Sequence, residues 1–297
     1  MPNILNDFSE AALITAIEAN LLEMLSALFS RLPNSLYQDD ADLAWFISDV
    51  SHPLFNGVIH ARLTSDRLDG RVRESVMRFK AQNKPMLWWT GPATRPHNLG
   101  SALCANGLLH LMDTPGMAVD LETLNKDLTL NPALTVKRVN SPDEVKQWLE
   151  PYAASFELPR KIVPQLYEAM LKVGLDEAGS LHHYLGLLNG EAVGSSTLYL
   201  AAGVAGVYNV GTLPRMRRQG VGTAMALTPL CAAHERGYRI GILHATEQGY
   251  PIYRRLGFKE FCTIGQYLYL PNRAQRTFLR FYLRAEHLLK SIKRARR

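Results

Sequence analysis

Thr212-Leu213-Pro214-Arg215-Met216-Arg217-Arg218-Gln219-Gly220-Val221-Gly222-Thr223 is the stretch on which the fold turns. It joins a strand-like apolar run at 204–210 to a helical pattern over about 221–236, ended by Gly237. Gly220 and Gly222 let the backbone turn tightly and approach a ligand without interference from a Cβ. The amides freed at the helix start would point at an anion, most naturally a pyrophosphate, and Arg217 and Arg218 add positive charge there. A Gly-x-Gly turn alone is just as often a tight helix start. Two other phosphate-binding patterns do not fit: a dinucleotide fingerprint wants Gly or Ala where Met225 stands, and a P-loop needs Gly-Lys-Ser/Thr.

Upstream, apolar runs at 184–188 and 192–200 flank Asn189-Gly190, a pair that favours a type I′ hairpin. The third run follows Ala202-Gly203, so three antiparallel strands in series precede the turn. After the helix come a strand at 239–244, a short helix at 250–256 ended by Gly257, and a final strand near 263–270. Strand, loop, helix, strand implies a right-handed crossover and a parallel pair within an otherwise antiparallel sheet. The unit opens near Leu134, with a strand at 134–139 and the helix start Ser141-Pro142-Asp143-Glu144: a capping Ser, Pro at the first helical position and Glu three residues on. Pro229 falls inside the helix after the turn and predicts a kink.

Arg217-x-x-Gly220-x-Gly222 after a third antiparallel strand resembles the Q/R-x-x-G-x-G/A acetyl-CoA motif of the GNAT superfamily of N-acetyltransferases. Tyr250-Pro-Ile-Tyr253-Arg-Arg-Leu-Gly257-Phe258 is similar to the closing segment of that superfamily, in which a tyrosine precedes Gly-Phe. The resemblance covers roughly 134–271. Residues 1–133 match more loosely, with Leu99 to Gly107 echoing the Tyr-to-Gly-Phe helix. The whole resembles two-lobed GNAT proteins: a degenerate lobe at 1–133, a working domain at 134–271 and a basic tail at 272–297. The implied fold class is α+β, a mostly antiparallel sheet with a parallel pair splayed at the coenzyme site.

The resemblance implies roles position by position. Val210, Gly211 and Thr212 would offer backbone groups to the pantetheine arm. Arg217, Arg218, Gln219, Gly220, Val221, Gly222 and Thr223 would wrap the pyrophosphate of acetyl-CoA. Tyr253 would act as general acid at the thioester sulfur, since a phenol, with pKa about 10, outlasts a thiol at about 8.5. An alkylammonium has a pKa of about 10.4, so a base is also needed. Glu247 and His244, or Tyr208 and Asn209 through water, are the candidates, and Glu247 is the choice; a solvated loop carboxylate is the equally good plain reading. The expected reaction is acetyl transfer to an amine-bearing acceptor, small molecule or peptide, with no metal. The runner-up is a non-catalytic acyl-CoA sensor, and a third reading is a longer acyl donor.

Composition bounds these readings. The chain has 297 residues, 47% hydrophobic and 20% charged, an ordinary globular balance sufficient for about two domains. Cys104, Cys231 and Cys262 are too few and scattered for a disulfide framework; Cys104 and Cys231 read as packing residues, and a reducing, cytoplasmic setting is expected. Glu10, Glu18 and Glu23 interrupt the first apolar helix, which Asp7 and Glu10 would cap, so no secretory signal is expected. The 23 uncharged residues at 192–214 are long enough to span a membrane, but their glycines and Ser195-Ser196-Thr197 favour strands. His182-His183 lack partners at metal-ligand spacing. Trp88-Trp89 read as core. Net charge is −5 over 1–133, +3 over 134–271 and +8 over 272–297, so the pI of 9.2 reflects the tail. That tail reads as a surface helix with a basic end, or as a contact for an anionic surface.

Overall fold

The computed structural model describes residues 4–32, 34–128 and 130–279; most of the basic tail therefore lies outside the described residues. In chain order the elements are α1 (Glu10–Phe29), β1 (Leu36–Asp39), β2 (Ala44–Ile47), β3 (Gly57–Ile59), α2 (Leu68–Ala81), β4 (Met86–Thr90), α3 (Leu99–Ala105) and β5 (Leu109–Asp120). They continue with β6 (Leu134–Arg138), α4 (Pro142–Ser155), α5 (Val163–Val173), β7 (Leu181–Leu188), β8 (Glu191–Ala201), β9 (Val204–Thr212), α6 (Val221–Glu235), β10 (Ile240–His244), α7 (Tyr250–Leu256) and β11 (Lys259–Tyr269).

Two compact units emerge: Met1–Asn34 with Thr114–Thr263, and Ser35–Asp113 with Ile264–Arg297. Their limits differ from the sequence boundaries 1–133, 134–271 and 272–297. The first unit draws in α1 and the end of β5, which pairs with β10 from Gly116↔His244 to Asp120↔Ile240. The second draws in the end of β11, which pairs with β4 from Gly265↔Thr90 to Tyr269↔Met86. Each unit thus completes its sheet with a strand that lies far away in sequence.

In the first unit the strands lie in the order β5-β10-β9-β8-β7-β6, antiparallel except for the β9/β10 pair. The hairpin between β7 and β8 turns on Asn189 (φ 51°) and Gly190 (φ 83°), both left-handed as a type I′ turn requires. The crossover from β9 to β10 runs through α6. Ala205 and Val207 on β9 and Leu243 on β10 share one apolar cluster with Val221, Met225 and Leu230 of α6. Side chains alternate along a strand, so Gly206, Tyr208 and His244 occupy the opposite face. That face is covered by α4 and α1: a Cβ on Gly211 would come within 2.9 Å of Ser155 Cβ, and one on Gly206 would run into Asn20 Oδ1. Helix α4 starts as expected, with Ser141 Oγ accepting from Glu144 N–H (3.3 Å) and Glu144 Oε2 from Asn140 N–H (2.8 Å).

The second unit repeats the plan in shorter form, β1-β2-β3-β4-β11, with β3/β4 as its parallel pair and α2 as its crossover. Trp88 is fully buried in its core, as expected.

Several local expectations change. Helix α1 is capped by Ser9, whose Oγ accepts from Ala12 N–H, while Asp7 accepts from Ser9 N–H; a hydroxyl one residue from the helix fits the geometry better than Asp7. Pro229, where a kink is expected, is buried within α6, which continues past it to Glu235. Strand β11 begins at Lys259, four residues before the expected Thr263. Cys104 is exposed rather than packed.

Helix α1 is apolar and long enough to cross a membrane, yet half of that window is buried within the protein. Its Asn20 is fully buried and donates to the carbonyls of Tyr199 (3.3 Å), Ala201 (2.8 Å) and Val204 (3.4 Å), while Oδ1 accepts from Tyr208 Oη (2.7 Å). One side chain thus satisfies the β8–β9 turn and fastens the helix to the sheet. Asn20→Ala leaves these groups buried without partners and is expected to lower the unfolding free energy by about 2 kcal/mol; an unchanged urea midpoint would contradict the bond network.

Candidate functional site

Strand β9 holds the site because it belongs to two partners and leaves one of them early. It runs parallel to β10 only from Ala205↔Gly241 to Val207↔Leu243. On the other side its pairing with β8 passes from Thr197↔Tyr208 to Ser195↔Gly211, so Asn209 and Val210 together oppose Ser196 alone. This is a β-bulge, with Asn209 in the left-handed region at φ 54°. Asparagine tolerates that conformation better than most residues.

The bulge is pinned from β8. Ser195 Oγ donates to Asn209 O (3.1 Å), and Asn209 Nδ2 donates to Thr197 Oγ1 (3.2 Å). Thr197 Oγ1 lies 2.9 Å from His183 Nδ1, deep under the sheet. Thr197 Oγ1 thus bridges Asn209 and the imidazole, while His183 Nε2 is buried without a partner. Burial pushes His183 down to about 4, so the ring is neutral, and it tilts against Trp148 with centroids 4.5 Å apart. Sequence reading missed this arrangement; polar Ser195 and Thr197 on one face of an apolar strand were its signal.

Beyond the bulge the chain passes Thr212 and a short helical turn at Pro214–Met216 before entering α6. Arg218 (φ 62°) and Gly220 (φ 81°) are both left-handed. Gly220 caps α6 without any side-chain hydrogen bond, and the first intrahelical acceptor, Gly220 O, is taken by Ala224 N–H (3.0 Å). The amides of Val221, Gly222 and Thr223 precede that bond, so they have no carbonyl within the helix to bond, and they sit at the positive end of a 15-residue helix. Arg217, Arg218 and Gln219 are exposed beside them. Left-handed residues, unused amides and exposed cations fit a diphosphate. A Cβ on Gly222 would meet Ile252 Cδ1 at 3.3 Å, which ties this helix start closely to α7.

Tyr253 projects from α7 into the α6-side core, its ring edge-on to Phe258 with centroids 6.0 Å apart. A Cβ on Gly249 would sit 2.7 Å from its ring, so glycine leaves the phenol room to lie across the turn. Burial pushes the phenol pKa well up, which keeps the hydroxyl protonated. On the opposite face, His244 stacks on Tyr208 (6.0 Å, 26°), and both its ring nitrogens are buried without a partner. Burial pushes His244 down to about 4. Glu247, the base expected from the sequence, is exposed in the turn between β10 and α7.

In the second unit the corresponding turn, 60–67, contains no glycine. The cation near the start of α2, Arg71, is already bound to Asp42 (2.6 Å), Glu74 (2.7 Å) and Asp40 (3.3 Å). That lobe keeps the fold but lacks the cradle. Among the described residues no cluster of His, Cys, Asp and Glu could hold a metal.

Comparison with known proteins agrees with this geometry. Residues 136–261 match the family model "Acetyltransferase (GNAT) domain". No curated protein matches the chain. Among solved structures, a GCN5-related N-acetyltransferase from Kribbella flavida is 18% identical with a TM-score of 0.63, covering 86% of this chain and 95% of its own. One from Sphaerobacter thermophilus is 15% identical with a TM-score of 0.58, covering 73% of each chain. A tandem GNAT protein from the clavulanic acid biosynthesis pathway is 14% identical with a TM-score of 0.55, covering 92% of this chain and 98% of its own. At these identities the structures establish a shared fold, and the two-lobed plan extends over nearly the whole chain.

The buried histidines set an acid limit on the fold. His182, His183 and His244 are each pushed down to about 4 by burial, with Arg236 and then Arg138 adding to the effect at His182. The unfolded chain protonates its histidines near pH 6.5 while the folded chain does not, so stability is full above that pH and falls as pH drops from about 6.5 to 4. Urea midpoints are expected to decline across that window, and less steeply in His183→Gln; a flat profile to pH 4 would contradict neutral buried imidazoles.

Proposed function

We propose that this chain, a two-lobed GNAT-type acyltransferase, moves the acetyl group of acetyl-CoA to a primary amine by direct attack of the amine nitrogen on the thioester. The observation that carries this reading is the combination at β9: open amides at the start of α6 beside a strand edge that β10 has left. The amides from Arg218 to Thr223 bind the diphosphate, with Arg217 and Arg218 supplying charge. Val210, Gly211 and Thr212 offer their backbone to the pantetheine arm, which adds to the sheet where β10 does not. The bound donor supplies an activated acyl group; the protein supplies position and proton transfer.

Tyr253 holds its proton near the sulfur and delivers it to the departing thiolate. Its burial supports this role, because a phenol that resists ionisation keeps its proton until the thiolate forms. Glu247, exposed at the mouth, draws in the ammonium form of the acceptor. A net charge of −5 over residues 1–133 favours a cationic acceptor over an anionic one.

A thiol-release assay with acetyl-CoA over a panel of amines and peptides, run beside calorimetry with acetyl-CoA alone, tests the reading. Release with at least one amine is expected, whereas binding without release on every acceptor would favour a sensor. Tyr253→Phe should lower kcat about 100-fold while leaving acetyl-CoA affinity nearly unchanged; an unaltered kcat would remove the general-acid role. Arg218→Ala should act in the opposite sense, weakening acetyl-CoA binding with little effect on the rate at saturation.

A further inference from the structure

We infer that His244 is the acceptor-side catalytic residue, taking the proton from the amine nitrogen as it bonds to the acyl carbon. This rests on the acetyl-transfer reading above and assigns the half of the reaction which that reading leaves open.

Position is the first argument. The last parallel pair between β9 and β10 is Val207↔Leu243, and His244 is the next residue, at the point where the strands part. Leu243 belongs to the apolar cluster under α6, together with Tyr253. Alternation sends His244 to the other face, where its ring stacks on Tyr208. Tyr253 and His244 therefore lie on opposite faces of the sheet where β9 and β10 part. A thioester in that opening presents its sulfur to the phenol and the far side of its carbonyl carbon to the imidazole.

Unmet bonding is the second argument. Buried polar atoms nearly always have hydrogen-bond partners, yet neither ring nitrogen of His244 has one. Its neighbour does: Tyr208 Oη donates to Asn20 Oδ1 (2.7 Å), so the hydroxyl is committed and the stacked ring is held by α1. Tyr208 is the titratable group in ring contact, and no charged side chain contributes to the imidazole's shift, which comes from burial alone. The ring is thus neutral at physiological pH, with one nitrogen free to accept a hydrogen bond.

The proton balance follows. The acceptor drawn in as an ammonium loses one proton to water before it enters the site, and the lone pair so freed forms the C–N bond. The nitrogen then carries positive charge, and its N–H becomes far more acidic than that of an alkylammonium. His244 takes this proton and becomes imidazolium. The C–S bond breaks, and Tyr253 gives its proton to the sulfur. Water carries a proton from imidazolium to tyrosinate through solvent, leaving amide, thiol and an unchanged enzyme. Glu247 is exposed in the turn between β10 and α7, three residues beyond His244.

The test uses the full chain with acetyl-CoA and the amine panel. His244→Gln is expected to bind acetyl-CoA as the native chain does and to lose about 100-fold in kcat. In His244→Gly, added imidazole should restore part of the rate. A glutamine variant with native kcat, or a glycine variant that imidazole does not rescue, overturns the assignment and leaves the acetyl-transfer reading standing. A native chain that binds acetyl-CoA but acetylates no amine overturns that reading, and this inference with it. If the variants do not fold, nitrogen-15 histidine spectra of the native chain decide. On adding ethylamine to the CoA-bound protein, the acceptor nitrogen of His244 should shift, and a stationary resonance contradicts the assignment.

Discussion

Between Tyr208 and Gly211, β9 carries one residue more than its partner β8, and the site depends on that mismatch. The extra residue turns β9 away just where its pairing with β10 ends. An unpaired strand edge is ordinarily a liability, open to any other strand. Here it lies one short loop from the first amides of α6, and the proposed coenzyme site rests on that pairing of features. Ser195, Thr197 and Asn209 fix the bulge with hydrogen bonds of 3.1 and 3.2 Å, and neutral His183 closes the chain of partners beneath them. Structural polar groups in β7 and β8 therefore serve the site without reaching it.

The two units show what separates a fold from a site. Both have a meander followed by a parallel pair and a crossover helix. In the first unit the turn into the helix bears Gly220 beside Arg217 and Arg218; in the second it has no glycine, and Arg71 of the helix is held by three carboxylates. A cation so occupied offers little to an incoming phosphate. The fold survives this loss because it is carried by apolar packing, such as Trp88 and Phe79 in the second core, rather than by the turn.

Much of this was legible in the sequence. The glycine turn into α6, the type I′ hairpin, the Ser141 cap and the crossover all follow from local rules that need only neighbouring residues. What could not be read were the pairings of distant segments. Nothing near Gly116 announces that it lies opposite His244, and nothing near Asn20 announces the carbonyls of Ala201 and Val204. The bulge was hidden for the same reason, since one extra residue shows only once both strands are in register. Glu247 drew attention as a carboxylate near the expected cleft. His244, three residues before it, has ring nitrogens that are buried without a partner, and sequence position does not give burial.

Backbone amide exchange, followed by NMR with and without acetyl-CoA, tests the central claim most directly. The account predicts protection on binding at the amides of residues 218–223 and along β9 at 210–212, with the second unit's turn at 60–67 unchanged. Acetyl-CoA that binds without protecting 218–223, or that protects 60–67 instead, would contradict it.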